Sequence, residues 1–315
     1  MTTLLISQPN FAHHVTPAGH PERAERIAAV EEALARSRFD KLLRRPAPAG
    51  DLTLAELVHS SSYMGILRDA RPAEGIGQID GDTFISATSL ETVGTALGGA
   101  LAALDAVLLG EADNAFCAIR PPGHHAEIDS PMGFCLINTV AIVAREAQRK
   151  YGAERVAIVD FDVHHGNGTQ DIFKDDASVF YGSSHQMPLY PGTGKMTEIG
   201  VGNITNAPLD PDSDGVAMRE AYVERIFPAL VNFSPDLILV SAGFDAHERD
   251  PLAQLNWTSQ DFGWLTGKLM DVAERHCGNR IVSLLEGGYD LKGLAGGASH
   301  HVAMLMDGAI GRLEE

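Results

Sequence analysis

Short apolar runs rich in β-branched residues recur along the chain and alternate with longer stretches of helical periodicity. Runs at Thr3–Ile6, Asn114–Ile119, Val156–Asp160, Ser178–Tyr181, Leu237–Ser241 and Ile281–Leu285 predict strands. The last four are nearly continuous, the pattern of parallel strands covered on both faces. Helical patterns fill Pro21–Ala35, Ser89–Leu109, Ile137–Lys150, Val216–Asn232, Ser259–His276 and Lys292–Met306. Thr88-Ser89-Leu90-Glu91 reads as a capping box opening the second of these. The alternation predicts an α/β fold, a three-layer α/β/α arrangement around a central, mostly parallel sheet. No repeat or low-complexity linker interrupts it, so one domain over residues 1–315 is expected. Arg71–Ala87 and Ser183–Asp214 are too long and too weakly patterned for simple connectors and are expected to form site loops.

In an open parallel sheet a site forms outside the carboxyl ends of the strands, and the reactive residues of this chain collect there. Arg120-Pro121-Pro122-Gly123-His124-His125 follows the second run, and Asp160 to Asp171 (DFDVHHGNGTQD) follows the third. Ser241-Ala242-Gly243-Phe244-Asp245-Ala246-His247 and Glu286-Gly287-Gly288-Tyr289 follow the last two. Extended backbone points Asp160, Asp162 and His164 one way and Phe161 and Val163 the other. Asp162 and His164 are thereby placed as a pair of metal ligands, and Asp245 can supply a third. Three nitrogen and oxygen ligands with an open position is the pattern of a catalytic zinc site.

Each of these features has a plainer reading when taken alone. An Asp-x-His at a strand end is usually a cap or a solvent-facing group, Gly166 and Gly168 could simply open a helix, and Glu286-Gly287-Gly288 could be a turn. The tandem pairs His13-His14 and His300-His301 are expected to be incidental. Co-occurrence at four strand ends is what argues for a site.

Charge narrows the partners. A net charge of −18 repels phosphate, which argues against a nucleic-acid partner and favours a cationic one. No stretch reads as the ~18 apolar residues of a membrane helix, and the opening MTTLLISQPNF does not read as a signal peptide. Cys117, Cys135 and Cys277 have no CxxC spacing and are expected to be reduced and buried. A cytoplasmic protein without membrane contact is expected.

The motifs RPPGHHA, MGFCLIN, DFDVHHGNGTQD, LYPGTG, SAGFDAH and LEGGYD occur in that order. Together they resemble the zinc-dependent histone deacetylase and acetylpolyamine amidohydrolase superfamily, which includes acetoin-utilisation proteins and has the arginase–deacetylase fold. The likeness runs from about His20 (HPERAERI) to Asp290. Asn167 and Glu286 resemble the class II branch, where class I members usually carry Asp and Gly. The resemblance implies that Asp162, His164 and Asp245 hold Zn2+. It makes His124 and His125 the tandem histidines beside the reacting water, one bonded to Asp160 and the other to Asn167. Tyr289 would point at the substrate carbonyl. Gly133, Phe134 and Tyr190 would line an acyl-lysine tunnel, with Tyr190 where many members have Phe. Asp82 would grip the substrate backbone, Arg26 would belong to an acetate channel, and Ser183 would join backbone carbonyls around K+.

The reaction so implied is hydrolysis of an N-acyl amide, either an acetylated lysine side chain or an acetylated polyamine. Zinc would polarise the carbonyl and acidify water, and two histidines with different partners can hold different protonation states. Leu252, directly after Asp250-Pro251, is apolar where a polyamine-selective site would place a carboxylate, which favours acetyl-lysine. Two alternatives stand further off. An arginase-like dimetal ureohydrolase needs an Asp where Gly243 stands, and an inert acyl-lysine binder would have no need of Tyr289 and the histidine pair.

Overall fold

The computed structural model describes residues 1–308 of the 315. In chain order its regular elements are β1 (Thr3–Ser7), α1 (Glu25–Leu34), β2 (Leu43–Pro46), α2 (Tyr63–Ala70), β3 (Ile76–Gln78), β4 (Phe84–Ser86), α3 (Ser89–Leu108), β5 (Asn114–Ala118), α4 (Thr139–Tyr151) and β6 (Val156–Asp160). There follow α5 (Asn167–Phe173), β7 (Val179–Gln186), β8 (Ile204–Leu209), α6 (Gly215–Ala221), α7 (Phe227–Phe233), β9 (Leu237–Ala242), α8 (Ser259–Cys277), β10 (Ile281–Leu285) and α9 (Leu291–Asp307). Eight strands form one sheet in the order β2-β1-β5-β10-β9-β6-β7-β8, and every pair is parallel.

Each central strand divides its side chains between two cores. Phe116 and Ala118 of β5, Ala157 and Val159 of β6, and Ile238 and Val240 of β9 pack against α1, α8 and α9 through Ile27, Leu265 and Val302. The alternating partners Ala115, Cys117, Val156, Ile158, Leu237 and Leu239 pack against α3 and α4 through Leu97, Leu104 and Val140. The expected three-layer α/β/α fold is therefore found, because strands apolar on both faces need a helical layer on each.

Several local expectations are corrected. Both edge strands went unread: β2 is Leu-Arg-Arg-Pro, alternately exposed, and charges and proline suit an edge that must not recruit another chain. The 216–232 pattern is not one helix. A π-helical turn over Tyr222–Ile226 separates α6 from α7, where Pro228 has no amide to donate to the preceding turn. Thr88 precedes α3 but makes no capping bond; its hydroxyl donates to the His13 carbonyl. A true capping box opens α8 instead, from Thr258 and Asp261. His14 and His301 are not incidental. His14 is buried against Ser89 Oγ at 2.7 Å, and His301 lies between the hydroxyls of Thr266 and Ser283.

The Arg71–Ala87 loop contains the small antiparallel ribbon β3–β4, and Ser183–Asp214 contains the end of β7 and all of β8. Helix α3 is long and apolar enough by length and composition to cross a membrane, contrary to the sequence reading. However, 72% of its most apolar window is buried inside the protein, as a core helix requires. The three cysteines are free and buried.

Candidate active site

The strands carrying the reactive residues, β5, β10, β9 and β6, are consecutive in the sheet although far apart in sequence. Their carboxyl ends therefore make one rim. Asp162 and His164 leave the end of β6, and Asp245 leaves β9 beside them. One ligand atom from each lies within 4.8 Å of the others, and all three residues are buried.

Backbone amides aim these side chains. Val163 N–H donates to Asp245 Oδ1 (2.9 Å), His164 N–H to Asp162 Oδ1 (2.9 Å) and Gly287 N–H to Asp162 Oδ2 (2.8 Å). Asp245 Oδ2 is buried with no hydrogen bond, 3.3 Å from His164 Nδ1. An orphaned carboxylate oxygen beside a second carboxylate and an imidazole nitrogen is a donor set that suits a divalent cation. The backbone leaves room for little else. A Cβ on Gly287 would strike the Asp245 and Asp162 carboxylates, and one on Gly243 would strike Asp162.

The tandem histidines follow β5 and have different partners. His124 Nδ1 lies 3.0 Å from Asp160 Oδ2, which also accepts from the Tyr181 hydroxyl at 3.0 Å. His125 Nδ1 lies 2.8 Å from Asn167 Oδ1. The Asn167 amide donates to Glu127 Oε1 (2.6 Å), which fixes its oxygen towards the imidazole. His125 Nδ1 is therefore the protonated nitrogen, and its Nε2 keeps a free lone pair.

The two imidazoles titrate apart. Burial opposes the His124 cation, but the carboxylates of Asp162 and Asp160 outweigh it and push the pKa up to about 10. Burial lowers His125, and the neighbouring His124 and His164 lower it further, so it sits well below its ordinary value. Burial also opposes the His164 cation, yet the adjoining carboxylates of Asp162 and Asp245 raise it to about 10. A dication at the three donors would compete with that proton.

Above the three donors opens a pocket of about 250 Å³, lined by Asp82, His125, Gly133, Phe134, His164, Leu189, Tyr190, Leu252 and Tyr289. Every residue expected to touch substrate stands on its wall, together with Leu189, which the sequence reading did not single out. Phe134 has φ +67°, a strained region for an aromatic residue, and its amide is held by Thr83 Oγ1 at 3.1 Å. The ring meets Tyr289 edge-on at 5.7 Å. Burial and then Asp80 raise the Asp82 carboxyl.

Arg26 is fully buried behind Tyr289, its guanidinium 4.9 Å from the ring. It donates to the carbonyls of Gly288 (2.6 Å) and Glu286 (2.5 Å). Ser183 is buried on β7 in register with Asp160, its hydroxyl 2.9 Å from His185 Nδ1.

The supporting roles of three acids were not assigned from the sequence. Glu22 receives a bidentate Arg120 at 2.7 and 2.6 Å and lies 3.3 Å from Arg26. Its spacing of four from Arg26 in HPERAERI was the available signal. Glu286 accepts from Gly123 N–H at 2.6 Å and so pins the loop bearing the histidine pair. Asp250 binds the backbone of the Tyr289 loop.

Comparison with known proteins places the sequence and fold in a family. Residues 20–305 match the family model for the histone deacetylase domain. The chain is 40% identical over 316 residues to a chloroplastic histone deacetylase 10 of Oryza sativa subsp. japonica, covering 93% of this chain and 70% of that one. It is 39% identical to a probable deacetylase of Archaeoglobus fulgidus, covering 93% and 83% of the two chains. A histone deacetylase-like amidohydrolase of Pseudomonas aeruginosa is 40% identical, covering 86% and 73%. The crystal structure of the HDA15 HD domain superposes with a TM-score of 0.91 at 32% identity, over 97% of this chain and 88% of that one. This chain belongs to the histone deacetylase domain family.

Proposed function

We propose that the protein is a zinc-dependent amidohydrolase that removes acetyl groups from lysine side chains, with residues 1–315 forming one catalytic domain. One observation carries the reading: three metal-suited donors and two differently partnered histidines lie beneath a pocket that Tyr289 and Phe134 narrow. Asp162, His164 and Asp245 would hold the ion. When bound, Zn2+ supplies Lewis acidity, polarising the amide carbonyl and acidifying water.

This chain's own groups complete the reaction. His125, neutral with Nε2 free, takes a proton from the attacking water. His124, whose charge Asp160 supports, is the proton source for the departing amine. The Tyr289 hydroxyl donates to the oxyanion, an interaction of about 3 kcal/mol by analogy with other oxyanion-hole donors. Gly133, Phe134, Tyr190 and Leu252 enclose the alkyl chain, and Asp82 accepts from the substrate backbone. Arg26 marks an exit for acetate, and Ser183 joins a K+ site beneath the 160–164 segment. The net charge of −18 fits a partner other than nucleic acid.

A second reading, acetylpolyamine hydrolysis, is favoured by the Asp82 carboxylate on the pocket wall. A dimetal ureohydrolase is disfavoured because the Asp162 carboxylate fills the space a side chain at Gly243 would need. The test compares kcat/KM of the zinc-loaded protein for an acetyl-lysine peptide and for acetylated spermidine. A tenfold preference for the polyamine, about 1.4 kcal/mol, overturns the lysine assignment. Tyr289→Phe should lower turnover by roughly 10²–10³ with metal content unchanged. Near-native turnover would remove Tyr289 from the mechanism.

A further inference from the structure

The Tyr289 loop is held from two sides, by a guanidinium and by a carboxyl group. Arg26 binds its carbonyls, at Glu286 and Gly288. Its amides are bound by Asp250, which is buried and contributes no atom to the pocket wall. Asp250 Oδ2 accepts from Tyr289 N–H at 2.7 Å and from Asp290 N–H at 3.3 Å. Its other oxygen, Oδ1, accepts from Leu252 N–H at 3.0 Å. One carboxylate thus joins the backbone of the oxyanion donor to the backbone of the rim residue, two parts of the pocket that are 37 positions apart in the chain (289 minus 252).

We propose that Asp250 is a positioning residue that sets the reach of the Tyr289 hydroxyl and ties it to the Leu252 rim. The proposal rests on the deacetylase reading above. All three groups that meet the carboxylate are N–H donors, so only a group accepting at both oxygens satisfies them. Asparagine is nearly isosteric but must turn its NH2 towards either the Tyr289–Asp290 amides or the Leu252 amide. One arm of the clamp is then lost. Because Tyr289 follows Gly288, whose φ of +118° few other residues adopt, the released loop has other conformations within reach. A shift of this kind acts on the transition state, where the hydroxyl meets the oxyanion, more than on the apolar walls that hold the acyl chain.

The test is a double-mutant cycle on acetyl-lysine peptide hydrolysis with Asp250→Asn and Tyr289→Phe, with metal content measured throughout. Asp250→Asn should lower kcat tenfold or more, leave KM within about threefold, and leave the metal content unchanged. In the Tyr289→Phe background the same change should cost less than about threefold, because the hydroxyl it positions is already gone. An equal cost in both backgrounds overturns the proposal, since general structural damage would be additive. Full activity in Tyr289→Phe overturns it too.

Amide hydrogen exchange provides a second readout that needs no turnover. In Asp250→Asn, and in Asp250→Ala, the amides of Tyr289 and Asp290 or of Leu252 should exchange faster. Gly287, anchored on Asp162, should not change. Unchanged exchange at all three sites overturns the clamp. A wild-type protein inactive on every acylated amine would refute the deacetylase reading, and exchange alone would then decide the clamp.

Discussion

Glu22→Gln removes one charge from the buried network behind Tyr289 and leaves the shape of the side chain almost intact. Glu22 is fully buried and accepts both arms of Arg120, with Arg26 at 3.3 Å and His14 Nε2 at 3.5 Å. Burial pushes its pKa up, but Arg120 foremost, then His14 and Arg26, bring it down from 4.5 to about 2. At 1.36 kcal/mol per decade that fall corresponds to about 3 kcal/mol of stability at pH 7. The cost of breaking a buried ion pair on one side, roughly 3–5 kcal/mol, agrees.

The pH dependence has a definite sign. A carboxyl whose folded pKa is depressed stabilises the protein fully above its unfolded value of 4.5. That contribution is lost as pH falls towards about 2. Most of it, about 2 kcal/mol, should be gone at pH 3. Urea denaturation of wild type and Glu22→Gln at several pH values between 7 and 3 reads this directly. The stability gap should be near 3 kcal/mol at neutral pH and should shrink on acidification. A gap below 1 kcal/mol at pH 7, or one that stays constant down to pH 3, would show that the Arg120–Glu22 charge pair is not what holds this region.

Three further outcomes are expected. His164→Ala should lose the single tightly bound divalent ion and the activity together, measured by metal analysis; two stoichiometric transition-metal ions in the native protein would contradict a one-metal site. Asp160→Asn should move the pH–rate limb belonging to His124 to lower pH, because Asp160 helps hold that imidazole charged, whereas Asn167→Ala should move the profile less; equal shifts would refute the split between the two histidines. Leu252→Glu places a carboxylate on the pocket wall and should raise the ratio of acetylspermidine to acetyl-lysine kcat/KM; an unchanged ratio would mean that Leu252 does not face the incoming chain.

How much could be read before folding depended on where each residue's partners lie. The six strands covered on both faces announced themselves because burial on two sides demands unbroken apolar runs. Edge strands face one neighbour and water, so β2, with its two arginines, carries no such signature. Candidate ligands were legible for a similar local reason: Asp162 and His164 stand two apart just beyond the end of β6, while Phe161 and Val163 enter the core. Asp250 and Glu22 were not, because the partners that define their roles lie far off in the chain. Asp250 grips amides 39 and 40 positions away, and Arg120 lies 98 positions from Glu22. A backbone amide has no residue identity, so a carboxylate that binds one leaves no pattern in the sequence. The Thr88 capping box failed for the converse reason. Its pattern was present, but the nearby His13 carbonyl took the hydroxyl.

The strand order has a consequence for how the molecule comes into being. β10 lies between β5 and β9, so the last of the described strands to be synthesised goes into the middle of the sheet rather than its edge. Until residues 281–285 arrive, β5 has no neighbour on that side, and Gly123 lacks the Glu286 carboxylate 163 positions downstream that fixes the histidine loop. Contacts of such long range make folding slow. They also mean that a nascent or truncated chain ending before β10 carries Asp162, His164 and Asp245 but neither the Tyr289 loop nor the anchor of the histidine pair. Arrival of β10 and the loop after it therefore acts as a checkpoint, and no product that ends before them can hold the complete rim.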